Sequence, residues 1–94
     1  MNSHTFSSPV YIRLETALGQ RQRYPINSPS KAVAAMQWYK LDPLKDVLSV
    51  HPGIWLVASS ALAQAQNYPA PETVEHARAM FEVLARRAGI LASA

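Results

Sequence analysis

Residues 72–91, ETVEHARAMFEVLARRAGIL, carry the pattern of one amphipathic helix with both ends marked. Val74, Ala77, Phe81, Leu84, Ala85 and Ala88 recur at helical spacing and make a single apolar stripe. Pro71 suits the first turn, where its missing N–H is no loss. Glu72 and Glu75 sit near the positive end of the helix dipole, and Arg86 and Arg87 near the negative end. Gly89 supplies a left-handed stop, and Ile90 can fold back onto the last turn as in a Schellman cap. This helix decides the fold class: its stripe needs a core to cover.

Working outward, the loop NYPAP (residues 67–71) separates it from another apolar pattern over residues 54–66. Ile54, Val57, Ala58, Ala61, Leu62 and Ala65 are predicted to form that helix's buried face. His51-Pro52-Gly53 reads as punctuation before it. Residues 44–50 fit either a short helical turn or a packed loop. Earlier still, Ser28 and Pro29 are an N-cap and first helical residue. Val33 and Met36, with Ala32, Ala35 and Tyr39, mark a helix ending near Lys40, stopped by Asp42-Pro43.

The first third has a different period. Val10, Ile12 and Leu14 alternate with Tyr11, Arg13 and Glu15, and residues 20–26 alternate again. A three-residue loop with Gly19 in the left-handed position sets Val10 opposite Ile26, Ile12 opposite Tyr24, Leu14 opposite Gln22 and Thr16 opposite Gln20. In that register Val10, Ile12, Leu14, Tyr24 and Ile26 share one face, and Tyr11, Arg13, Glu15, Arg21 and Arg23 share the other. A slip of one residue would mix the two sets. The predicted architecture is α+β: an N-terminal β-hairpin packed on three main helices (ββααα), one domain over residues 1–94 with 1–8 flexible.

Composition bounds the function. A chain of 94 residues buries roughly 60–65% of its unfolded surface, which allows one modest core. With no cysteine, disulfides, thiolate metal sites and cysteine nucleophiles are excluded. No apolar run approaches the ~20 residues of a membrane span, and the N-terminus lacks a signal-peptide pattern, so a cytoplasmic location is expected. The net charge of +3 arises within residues 1–31, where Arg13, Arg21, Arg23 and Lys31 face Glu15 alone.

Chemistry-bearing patterns are sparse. His4, His51 and His76 have no metal-ligand spacing; Glu72 and His76, with Glu75, are one turn apart on a helix face, which favours a solvated surface. Ser59 and Ser60 lie mid-helix without a nucleophile turn, and Ser49 near His51 lacks an orienting third group. Three separated glycines make no phosphate loop. Neither a catalytic set nor a cofactor is expected. Arg78, Glu82 and Arg86 read as an i, i+4 surface ladder.

Short signatures resemble the small bacterial proteins, mainly of rhizobia and relatives, grouped as domain of unknown function 982. They are Phe6 with Pro9-Val10, Ser28 with Ala32, Ala61-Leu62, and Ala77-Arg78 with Phe81 running on to Ala88-Gly89-Ile90-Leu91. The chain departs from that family at Trp38-Tyr39, where Trp-Pro is usual, and in lacking its usual cysteine. The resemblance implies a compact bacterial domain and no catalytic residues.

The functional expectation is therefore binding: a homodimer, or a regulatory contact with another protein. The first strand's edge, Val10, Ile12, Arg13, Leu14 and Glu15, is expected to pair with its twin about Leu14, giving a four-stranded sheet. Trp38, Tyr39, Trp55 and Tyr68 form a candidate aromatic patch. The alternative is nucleic-acid binding through Arg13, Arg21 and Arg23 beside Tyr11, since a two-stranded ribbon fits the DNA major groove and an aromatic with cations suits single strands.

Overall fold

The computed structural model describes residues 5–15, 21–37 and 49–92, with all their side chains except those of Leu14, Glu15 and Arg21. In order, the elements among them are β1 (Val10–Glu15), β2 (Arg21–Ile26), α1 (Pro29–Gln37), α2 (Pro52–Asn67) and α3 (Pro71–Arg87). This is the expected ββααα arrangement. Ser49 and Val50 are also helical; the expected hairpin loop and the end of the first helix near Lys40 lie outside the described residues.

The two strands pair antiparallel, with Val10 opposite Ile26, Ile12 opposite Tyr24 and Leu14 opposite Gln22, the register that keeps apolar side chains on one face. Val10, Ile12 and Ile26 are buried against the helices. Pro25 costs no ladder bond. It stands opposite Tyr11, whose carbonyl points away from β2 to accept the Ala92 N–H, so the Pro25 nitrogen also faces outward.

Helix ends follow local chemistry. The Ser28 hydroxyl accepts the Lys31 N–H at 3.2 Å, and Pro29 takes the first position of α1. At the start of α3, Thr73 Oγ1 accepts the Ala70 N–H at 3.0 Å and donates to the Tyr68 carbonyl at 2.7 Å. The far end of α3 is a complete Schellman cap. Gly89 has φ +75, its N–H reaches the Arg86 carbonyl at 3.1 Å, and Ile90 N–H reaches Ala85 at 3.0 Å.

α3 is the centre of the core. Val74, Ala77, Phe81, Leu84 and Ala85 are buried as expected, Phe81 with no exposed surface, while Ala88 is half-buried. Ala58, Ala61, Leu62 and Ala65 of α2 pack against them, their small side chains permitting close approach. Two expectations need correction here. Val57 does not join the buried face of α2 but is 50% exposed. Pro52 and Gly53 lie inside the first turn of α2 rather than before it.

The first and last described segments both make defined contacts with the rest of the domain. Residues 6–8 fall within the stretch expected to be flexible, and they pack and hydrogen-bond. Phe6 is buried, its N–H donates to Asn27 at 2.7 Å, and Arg78 Nε donates to the Ser8 carbonyl at 2.7 Å. At the other end, residues 90–92 lie along the outer edge of β1. Arg13 N–H donates to Ile90 at 2.7 Å and Ala92 N–H to Tyr11 at 2.9 Å, with Leu91 bridged to Ile12. Pairing of two first strands about Leu14 needs the Arg13 N–H, and that group is already donated within the chain. The expected dimer edge at Val10, Ile12, Arg13, Leu14 and Glu15 is thus closed at its middle by the chain's own C-terminal segment.

Candidate interaction surfaces

Two surfaces stand out, one charged and one without charge. The first is the outer face of the hairpin. Arg13 and Arg23 are directly opposed across the strands, and both are exposed. Because the Arg13 N–H points away from β2, the two form a non-hydrogen-bonded pair, the closer of the two antiparallel spacings. Like charges so placed repel. The Arg23 guanidinium relieves this by lying over the Tyr11 ring, 4.5 Å from its centroid. Arg21 is aligned with Glu15 in the register. Arg86 and Arg87 lie in the last turn of α3, both exposed, with Arg86 directed along the helix to Glu82.

The second surface is α2. Its sequence, PGIWLVASSALAQAQN, contains no charged residue, alone among the described helices. At ~100° per residue, Leu56, Ser60, Ala63 and Asn67 fall on one strip, with Val57 and Gln64 beside it. All six are exposed. Leu56 is 65% exposed and Val50, just before the helix, 69%. Apolar side chains on a helix normally turn inward, and single exposed ones need no explanation; a cluster at one helix end on an uncharged face does. A groove of about 210 Å³ between α1 and α2 adjoins this strip, lined in part by Val33, Met36, Trp55 and Ala63.

Of the expected aromatic patch, the two described members, Trp55 and Tyr68, do not share one surface. Trp55 is half-buried in the first turn of α2 and packs on the core, whereas Tyr68, 72% exposed, follows the last turn. Thirteen residues of helical rise separate them by ~20 Å. Trp38 and Tyr39 lie outside the described residues.

The remaining candidates are structural. Glu75, near His76, is engaged by Ser7, whose N–H and hydroxyl donate to its carboxylate at 3.0 and 2.7 Å. The Ser7 hydroxyl first, then the Ser7 amide, hold the Glu75 carboxyl below its ordinary value against desolvation, with Arg78 adding the smallest contribution. Arg78, Glu82 and Arg86 form the expected ladder, with contacts of 3.4 and 3.6 Å. Among the described residues no serine is hydrogen-bonded to a histidine, and no three acidic or histidine side chains gather as a metal site. No described helix is long and apolar enough to cross a membrane.

Comparison of the chain with family models, curated proteins and solved structures gave no match.

Proposed function

We propose that this chain is a protein-binding domain whose contact surface is the exposed face of α2. The observation that carries the reading is the exposure of Val50, just before α2, and of Leu56 and Val57 early in a helix with no charge. Desolvating such a face costs neither an ion pair nor an isolated charge, and it returns the free energy of burying apolar surface. The likeness to domain-of-unknown-function-982 proteins, a bacterial cytoplasmic setting and a regulatory contact belong to the same proposal.

A photo-crosslinking residue placed at Val57 in the native host tests it. The expected result is a defined protein adduct that is absent when the same residue replaces His76, an exposed position on α3. Equal labelling at both positions contradicts the reading.

The opposed Arg13 and Arg23, with the guanidinium of Arg23 stacked on Tyr11, support a second reading as a nucleic-acid contact. Its signature is affinity that falls steeply with salt as counterions are released.

A further inference from the structure

We propose that the partner of α2 is the α2 of a second copy of this chain, the two helices running antiparallel about a two-fold axis at Ser60. The inference rests on the protein-binding reading and names its partner.

Three observations select a second copy. The first is charge. Two molecules of net charge +3 repel across most approaches, and α2 offers a face with nothing to repel. The second is the helix dipole. α2 has no acidic residue in its first turn and no basic residue in its last, so its own sequence offsets neither end of its dipole. An antiparallel twin sets the C-terminus of each helix beside the N-terminus of the other.

The third is shape. Leu56 stands out into solvent, and the groove beside Ala63 is a recess where Val33, Met36 and Trp55 are joined by the uncharged Gln37, Ser59 and Gln66. With the axis at Ser60, Leu56 of one copy lies level with Gln64 of the other, next to Ala63 at the groove mouth. A projecting side chain and a recess on the same helix, exchanged by a two-fold, make an isologous interface. Ser60 and Ala63 are small enough for the helices to approach closely at the axis.

Sixteen residues of helix make a seam ~24 Å long and about 10 Å wide, a few hundred Å² against the roughly 800 Å² per partner of a standard interface. The dimer is therefore a weak, reversible one.

Sedimentation and single-cysteine crosslinking test the proposal together. The wild-type mass is expected to rise from 10.4 kDa toward twice that value with concentration. Leu56→Glu, at a position already exposed, is expected to weaken association by about tenfold or more while the circular dichroism spectrum stays unchanged. Because the chain has no cysteine, an introduced one reports geometry directly. Ser60→Cys is expected to give a disulfide dimer on mild oxidation; Gly53→Cys, ~20 Å from its twin in this arrangement, is not. A wild-type chain that stays monomeric at millimolar concentration overturns the second-copy partner, and a heterologous adduct at Val57 would then still uphold protein binding. A dimer that survives Leu56→Glu without forming the Ser60→Cys disulfide also overturns the proposal.

Discussion

The amide of Arg13 donates to the carbonyl of Ile90 at 2.7 Å, and this bond joins the first strand to the residue that caps the last helix. Ile90 thereby serves twice, completing the Schellman cap through its N–H and occupying the edge of β1 through its carbonyl. Its side chain is buried as well. Ile90→Ala should lower the unfolding free energy by about 2–4 kcal/mol in urea titration. A loss below ~0.5 kcal/mol would mean that the C-terminal return is not part of the cooperative fold.

Gly89 isolates the backbone contribution of the same cap. A Cβ there would meet nothing within 4 Å, yet φ is +75. Gly89→Ala should cost about 1–2 kcal/mol from the left-handed conformation alone. Thermal melts showing no change would contradict that conformation.

Phe81 has no exposed surface and sits mid-stripe on α3. Phe81→Ala should cost about 3–5 kcal/mol, a large share of the stability of a domain this size. Denaturant titration measures it directly, and a loss under ~1 kcal/mol would place the side chain outside the core.

Glu75 gives the fold a pH signature. Its carboxyl lies below the ordinary value of 4.5 because the Ser7 hydroxyl and amide, and Arg78, favour the charged form. A depressed folded-state value means that the stabilisation is complete above the unfolded value and is lost as the pH falls through the folded one. Stability should therefore fall on acidification below about pH 5, and Glu75→Gln should flatten part of that fall. Identical acid profiles for the two proteins would remove Ser7–Glu75 from the account.

For the arginine face, replacing Arg13 and Arg23 together by alanine should weaken any nucleic-acid affinity for all sequences alike. The slope of affinity against salt should drop by roughly two contacts. Wild-type protein that binds no nucleic acid at low salt would end that reading.

Much of this fold was legible in the residues. Period-two alternation with a short loop gave the hairpin register, since a slip of one residue would have put Arg23 on the face of Val10 and Ile12. Marked ends made α3 readable to its final turn. Neither tie at the termini was visible, because Phe6 and the run Ile90-Leu91 have no period of their own and are ordered only by partners distant in sequence. Val57 was misread for another reason: it stands ~100° from Leu56, at the margin of the apolar arc, where periodicity does not separate core from surface.

Amide NMR spectra recorded across a dilution series test the central claim most directly, because they report which surface associates as well as whether one does. The account predicts concentration-dependent shifts at Leu56, Val57, Ser60, Ala63 and Gln64, while Arg13 and Arg23 on the hairpin stay fixed. Shifts confined to β1 and β2, or none up to millimolar protein with no partner captured at Val57, would contradict it.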